Sequence, residues 1–133
     1  MSVQSERLKE RTMAFALKAL QLVDKIHNTH GGQVVGRQLA KSATSVGANY
    51  RACCNARSRI EFIAKLGVVV EEIDETVYWL ELLARRNVSE PDGVVPVLSE
   101  ARELRAIFAK GLGTARTNLK IEKSQKSNDP TTK

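Results

Sequence analysis

The chain has 133 residues, of which 42% are hydrophobic and 27% are charged, as is ordinary for one soluble globular domain. Its net charge is +6 and its isoelectric point is about 9.6, which is compatible with a polyanionic partner without requiring one. The sequence contains no run of 18 apolar residues, and its charged first residues lack the apolar centre of a secretion signal. We therefore expect a cytoplasmic protein with no membrane partner.

The first predicted helix covers about residues 5–27. Its core stripe repeats at helical spacing and consists of Met13, Ala16, Leu20 and Val23, widened by Phe15, Leu22 and Ile26. Residues 27–32 (HNTHGG) predict a turn, in which Gly31 or Gly32 takes the positive φ angle that ends the helix. His27 and His30 lie in this turn, but two histidines fall short of the four ligands typical of zinc, so we expect no metal.

The second predicted helix covers residues 33–55 and has two different faces. Leu39, Val46, Tyr50 and Cys53 share one side, which predicts a core face. Arg37, Lys41 and Arg51 share the opposite side, with the small Thr44 and Ala48 between them. Arg57 and Arg59 follow the helix, and no acidic residue occurs anywhere in residues 25–60. Gly47 predicts a close contact with another helix, because glycine lets two backbones approach.

The basic face has three possible neighbours, namely nucleic acid, another subunit, or water. Cations spaced along one side of a helix suit phosphate binding, because each neutralised phosphate releases counterions. Equally, the acidic outer side of a neighbouring copy's third helix would suit the same face. A solvated charge run is the third reading. We assign the candidate nucleic-acid contacts to Arg37, Lys41, Arg51, Arg57 and Arg59.

A polar ridge flanks the core face of the second helix and consists of Ser42, Ser45 and Asn49. Asn49 is a candidate ligand contact. We favour a structural role, in which an interhelical hydrogen bond from this ridge fixes the register of the helices. The adjacent Cys53 and Cys54 cannot readily bridge each other on a helix, and Cys53 is predicted to be a buried thiol.

The third predicted helix covers residues 58–86 and carries the strongest periodic signal. Its core stripe consists of Ile63, Leu66, Val70, Ile73, Val77, Leu80 and Ala84. Ser58 and Glu61 predict a capping box at its start. Large apolar and acidic side chains also occupy the other side, which predicts burial against a second subunit. The candidate oligomer interface consists of Glu71, Glu75, Tyr78, Trp79 and Leu82.

The fourth predicted helix begins after a capping box at residues 89–92 and has an irregular first turn, because Gly93 and Pro96 disfavour a regular one. Its stripe consists of Ala101, Leu104, Phe108, Leu112, Ala115 and Leu119. Residues 123–133 are polar and predict a disordered tail. Four amphipathic helices with short connections predict an all-α, antiparallel up-down-up-down four-helix bundle, as one domain over residues 1–122.

The second and third helices resemble a known family. Lys41, Ser42, Ser45 and Asn49 match the pattern of the bacterial four helix bundle proteins, first noticed inside intervening sequences of large-subunit ribosomal RNA genes. Further matches lie in the third helix, at Phe62, Lys65, Leu66, Glu71 and Glu72. The glutamate that usually follows the matched asparagine is absent, so this helix is more basic than the family pattern. The similarity spans about residues 14–119.

The resemblance implies a bundle that assembles as a homo-oligomer, with a pentamer as the expected form. The chain is also similar to the accessory variability determinant of diversity-generating retroelements, which works with a reverse transcriptase and RNA. We therefore expect an accessory protein, without enzymatic activity or a cofactor, that binds nucleic acid, and RNA in particular. The alternative is a structural or adaptor homo-oligomer that binds a protein partner and uses its basic helix for self-assembly.

Overall fold

The computed structural model describes residues 2–86 and 91–127 and contains four helices there. They are α1 (Val3–Asp24), α2 (His30–Cys54), α3 (Arg59–Arg86) and α4 (Pro91–Ser127). No strand occurs in these residues, and each helix packs on the next along the chain. The predicted all-α four-helix bundle is therefore confirmed.

The helices alternate in direction, and α1 closes the bundle against α4. Leu22 packs beside Gly93 at one end of this seam. Arg11 contacts Glu100 and Glu103 further along, so α1 and α4 run antiparallel. This seam has the fewest contacts of the four between neighbouring helices, so an Arg–carboxylate cluster supplements limited apolar packing there.

The turn between α1 and α2 differs from the prediction. Helix α1 ends at Asp24, and Thr29 caps α2 by accepting a hydrogen bond from the Gly32 backbone N–H at 3.0 Å. Gly31 and Gly32 thus belong to the first turn of α2, and the prediction that one of them ends α1 with a positive φ is wrong. The glycine at position 32 serves close packing instead, because a Cβ atom there would collide with the His27 carbonyl oxygen.

The core face of α2 is confirmed. Leu39, Val46 and Cys53 are fully buried, and Tyr50 packs its ring against Phe108 with 5.2 Å between ring centroids. The core of the first helix agrees with the predicted stripe only in part, since Phe15 and Leu22 are buried whereas Met13 and Leu20 are not. Its buried side chains are Thr12, Phe15, Ala19 and Leu22. Met13 and Leu20 are 46% and 37% exposed, because α1 carries two apolar stripes and only the one centred on Phe15 faces the other helices.

The capping prediction for α3 is confirmed. Ser58 Oγ accepts a hydrogen bond from the Glu61 backbone N–H at 3.0 Å, and a Glu61 carboxylate oxygen accepts one from the Arg57 backbone N–H at 3.1 Å. The hydrogen bond from the Arg57 backbone N–H, together with Lys65, lowers the pKa of the Glu61 carboxyl. Of the predicted stripe, Leu66, Ile73, Val77 and Leu80 are buried, whereas Ala84 is exposed because the stripe drifts towards Val69, Thr76 and Leu83.

Helix α4 is longer than predicted. Its stripe is buried from Ala101 to Leu112 and half-buried at Ala115 and Leu119. The predicted disorder of residues 123–127 is wrong, since the helix continues through Ser127. Lysines near a helix C-terminus stabilise it through the helix dipole, and the composition here otherwise favours a helix. The predicted capping box at residues 89–92 lies partly outside the described residues. Residues 128–133 of the predicted tail lie wholly outside them.

Candidate nucleic-acid interface

Helix α2 holds the predicted basic face on its outer side. Arg37, Lys41 and Arg51 are all exposed, as their position opposite Leu39 and Val46 requires. Fourteen residues separate Arg37 from Arg51, which corresponds to about 21 Å along the helix axis. The face is thus a row of cations on one rigid element, and the helix holds these spacings without help from a loop.

None of the three cations has an ion pair among the described residues. Neither Arg37 nor Arg51 has a carboxylate within salt-bridge distance among the described residues. Lys41 lies close enough to Glu72 of α3 to act on it electrostatically without direct pairing. Partial burial and the nearby Glu75 raise the pKa of Glu72, and Lys41 opposes that rise. The face therefore keeps most of its positive charge available to a ligand.

The other two predicted contacts lie at the turn between α2 and α3. Arg57 is exposed, and only its backbone N–H takes part in the cap of α3. The guanidinium of Arg59 lies 3.0 Å from a Glu122 carboxylate oxygen of α4. Arg57 therefore retains its full charge, whereas Arg59 is partly neutralised and joins the start of α3 to the far end of α4.

Beside the basic face lies a surface groove between α1 and α2, with a volume of about 320 Å³. It is lined by Lys9, Thr12, Met13, Ala16, Leu17, Leu20, Thr44, Gly47, Ala48 and Arg51. We call it the α1–α2 groove. Gly47 forms its floor, where a Cβ atom would lie 3.0 Å from Thr12 Oγ1, so the predicted tight contact of Gly47 is confirmed. Sequence reasoning missed this groove because it assigned Met13 and Leu20 to the core.

The polar ridge does not join two helices. Ser42 Oγ donates to the Leu39 carbonyl, Ser45 Oγ donates to the Lys41 carbonyl, and Asn49 Nδ2 donates to the Ser45 carbonyl. All three bonds stay inside α2, so the prediction of an interhelical hydrogen bond is wrong. Residues of this type can satisfy their polar atoms on the preceding turn of their own helix.

The outer side of α3 carries the predicted interface residues. Tyr78 is 57% exposed, Glu71 and Glu75 are exposed, and Trp79 and Leu82 are half-buried. Trp79 Nε1 donates to a Glu75 carboxylate oxygen at 3.3 Å, and its ring contacts Tyr78 edge to face. Val68 extends this apolar and acidic surface, which we call the α3 outer face.

Several arginines elsewhere on the bundle are paired across helices. Arg102 of α4 meets Glu81 of α3, and Arg105 meets Asp74, each at 3.0 Å. Arg11 makes two hydrogen bonds to Glu100, of 2.8 and 2.6 Å, and these lower the pKa of that carboxyl. Asp74 is thus occupied within its own chain, so the acidic groups left for a neighbour on the α3 outer face are chiefly Glu71 and Glu75.

Other kinds of site have no counterpart in the described part of the chain. It contains no group of three or more His, Cys, Asp or Glu side chains that is able to hold a metal ion. No helix there has the length and apolarity needed to span a membrane. Cys53 and Cys54 are both free, and burial raises the pKa of Cys53 to about 11, which keeps that thiol protonated and unreactive.

Comparison with known proteins assigns the chain to a family. The family model described as 23S rRNA-intervening sequence protein matches residues 5–110. A crystal structure of a protein of unknown function, from the S23 ribosomal protein family of Bacteroides thetaiotaomicron, superposes with a TM-score of 0.72. The two chains are 31% identical over 78% of this chain and 96% of that one. No curated protein matches significantly. This chain belongs to the 23S rRNA-intervening sequence protein family.

Proposed function

We propose that this chain is a non-enzymatic accessory protein that binds RNA through the outer face of α2. One observation carries the proposal, which is that α2 contains no acidic residue and exposes Arg37, Lys41 and Arg51 without an ion pair. On α4, by contrast, Arg102 and Arg105 are neutralised by ion pairs to α3, so the α2 face differs from that side of the bundle in keeping its cations unpaired. The name of the family, which refers to sequences within ribosomal RNA genes, favours RNA as the polyanion.

The binding rests on charge and not on base recognition. Phosphate contacts by Arg and Lys release counterions and position a protein without reading sequence. Tyr50 is the single aromatic residue of α2 and is buried in the core, so α2 itself exposes no platform for base stacking. We expect Arg37, Lys41 and Arg57 to contribute most, and Arg59 least because Glu122 already pairs with it.

The test compares two variants with equal charge loss. Arg37→Gln with Arg51→Gln removes two unpaired cations, and Arg102→Gln with Arg105→Gln removes two paired ones. Binding to a fluorescein-labelled RNA hairpin is titrated at several salt concentrations. We expect the first variant to bind about tenfold more weakly, with a salt slope smaller by roughly one to two, and the control to stay close to the wild type.

Two outcomes would contradict the RNA proposal. One is wild-type affinity no better than millimolar at low salt. The other is an equal loss in both variants, since that would mean that net charge, and not the α2 face, determines binding. The accessory role, with a reverse transcriptase as the proposed protein partner, is tested separately by pull-down of that enzyme with the purified chain.

A second candidate function is self-assembly, and the α1–α2 groove favours it. The groove exposes Met13 and Leu17 beside Arg51, while the α3 outer face exposes Val68 and Tyr78 beside Glu71 and Glu75. The two surfaces are complementary in apolarity and in charge. Because they are different surfaces, the α3 outer face of one copy would fill the groove of the next, and such head-to-tail contacts form a ring where the rotation between copies closes.

Light scattering separates the two candidates. If the oligomer forms through the groove, Leu17→Glu and Tyr78→Glu should each yield monomers, and Arg37→Gln with Arg51→Gln should weaken assembly. If the α2 face serves RNA alone, the arginine variant should retain the oligomer while it loses RNA affinity. A wild-type monomer at micromolar concentration would contradict assembly and leave the RNA proposal standing.

A further inference from the structure

Helix α4 extends further than the helices around it. Its last buried residue is Leu112, and we call residues 113–127, about 22 Å of helix, the α4 arm. The α1 residue Gln4 lines the same surface groove as Lys110, and Arg59 at the start of α3 reaches Glu122. The first part of the arm therefore has α3 as its main neighbour, and the part after Glu122 extends past the start of α3.

The arm carries a second row of cations. Arg116, Lys120 and Lys123 follow one another at spacings of four and three residues, so they share one side of the helix. Lys126 follows one turn later, and none of these four forms an ion pair among the described residues. The single acid of the arm, Glu122, is neutralised by Arg59. The arm thus presents unopposed positive charge over its whole length.

This arrangement is not explained by stability of the fold. Like charges three and four residues apart destabilise a helix by about 0.2–0.5 kcal/mol per pair, and the arm buries little apolar surface in return. Cations near the C-terminus recover part of that cost through the helix dipole, so the arm remains helical without a ligand. A polyanion would remove the repulsion, and the exposed Thr117 lies next to Arg116 as an additional hydrogen-bond donor to phosphate.

We infer that the α4 arm is a second RNA contact, separate from the α2 face, which binds the phosphate backbone of an RNA helix where its groove is opened by a bulge or internal loop. The inference rests on the proposed function. An α-helix with its side chains is about 10–12 Å across, whereas the major groove of uniform A-form RNA is deep and narrow. An interruption that widens this groove lets the arm enter it, with its cationic side against the phosphates of one strand.

The test uses a labelled RNA hairpin with a three-nucleotide bulge, and the same hairpin without the bulge. The arm variant is Arg116→Gln, Lys120→Gln and Lys123→Gln. The matched control is Arg7→Gln, Lys18→Gln and Lys25→Gln, at exposed positions of α1 and of its C-cap, and each triple change lowers the net charge from +6 to +3. We expect tenfold to a hundredfold weaker binding for the arm variant, with a salt slope smaller by roughly two to three. The control should change affinity less than about threefold.

The outcomes separate this inference from the proposed function. If the arm variant binds as the wild type does while Arg37→Gln with Arg51→Gln loses affinity, the arm inference is wrong and the proposed function stands. If the wild type binds no RNA, both are wrong. Equal losses of RNA affinity in the arm variant and the control would mean that net charge alone determines binding, and would overturn the inference. Tighter binding to a B-form DNA duplex, or no gain from the bulge, would overturn the assignment to an opened RNA groove.

Limited proteolysis gives a second readout that needs no variant. Trypsin cleaves after Arg116, Lys120 and Lys123, and bulged RNA at saturation should slow cleavage in the arm at least about threefold while leaving cleavage at Lys25 unchanged. Unchanged cleavage of the arm in saturating RNA would overturn the inference. Mass spectrometry identifies each fragment, so cleavage in the arm and cleavage at Lys25 are compared within one sample.

Discussion

The two sides of the bundle use similar residues in opposite ways. On the α3–α4 side, Arg102 and Arg105 pair with Glu81 and Asp74, so that charge is neutralised within the chain. On the α1–α2 side, Arg37 and Arg51 have no such partner, and an apolar groove lies next to them. Each side contains an exposed pair of arginines, yet only one is free for a ligand. The number of cations in a sequence is therefore a poor guide to binding, because the position of the acids decides which cations remain available.

The same contrast applies to apolar residues of α1. Phe15 is 1% exposed in the core and Leu17 is 56% exposed in the α1–α2 groove, although only one residue separates them. The α1–α2 side thus combines free charge with free apolar surface, as an interaction surface does. On the α3–α4 side, Arg102 and Arg105 are instead neutralised by ion pairs. The following predictions test this contrast, beginning with the largest effect.

Truncation of Phe15 and of Leu17 should have very different consequences. Phe15→Ala removes a fully buried ring and should lower the free energy of unfolding by about 3–5 kcal/mol. Leu17→Ala should change it by less than about 0.5 kcal/mol. Urea unfolding followed by circular dichroism measures both. A comparable loss in the two variants would mean that the groove stripe belongs to the core.

Substitution of Gly47 should disturb the contact between α1 and α2. In Gly47→Val the side chain would press on Thr12, and we expect a loss of about 1–3 kcal/mol, against which the gain in helix propensity is small. Gly67→Ala on α3 is the matched control, since a Cβ atom there meets nothing within 4 Å. It should stabilise the protein by about 0.5–1 kcal/mol. Thermal unfolding of both variants distinguishes close packing at Gly47 from a general effect of glycine.

The Arg11 cluster should contribute about 1 kcal/mol to the free energy of unfolding, and this contribution should depend on pH. Arg11→Met removes the hydrogen bonds that lower the pKa of Glu100. A carboxyl with a lowered pKa stabilises the fold above its ordinary pKa of about 4.3, and that contribution disappears as pH falls through the lowered value. The wild type should thus exceed the variant in stability at pH 7 but not at pH 2. A difference that persists at pH 2 would assign the effect to packing of the arginine stem.

The exposed ion pairs between α3 and α4 should have the smallest effect on the free energy of unfolding. Arg102→Met and Arg105→Met should each cost no more than about 0.5 kcal/mol, because both pairs are exposed to solvent and screened by salt. Because Arg37 has no ion pair, Arg37→Met should leave the free energy of unfolding unchanged. Denaturation at 50 mM and 500 mM NaCl measures the difference between these variants. If Arg37→Met destabilises the protein as much as Arg105→Met, Arg37 has a structural partner.

Much of the fold follows from local pattern. The core face of α2 was predicted from the helical spacing of its apolar residues alone, and Leu39, Val46 and Cys53 are buried as predicted. The cap of α3 by Ser58 depends on a short spacing of residues, and it too is confirmed. The two glycines between α1 and α2 predicted the end of α1. They lie instead in the first turn of α2, because the Thr29 side chain caps that helix through the Gly32 backbone N–H.

The sequence by itself determined four amphipathic helices, the acid-free α2 and the family resemblance, because these depend on residue order and helical period. The tertiary structure alone decided which stripe of α1 faces the core, and it left Met13 and Leu17 in a groove. It also decided which arginines are neutralised, since Glu81, Asp74 and Glu122 reach their partners only after the helices pack. Pairing across helices joins residues far apart in the chain, so no local pattern reveals it.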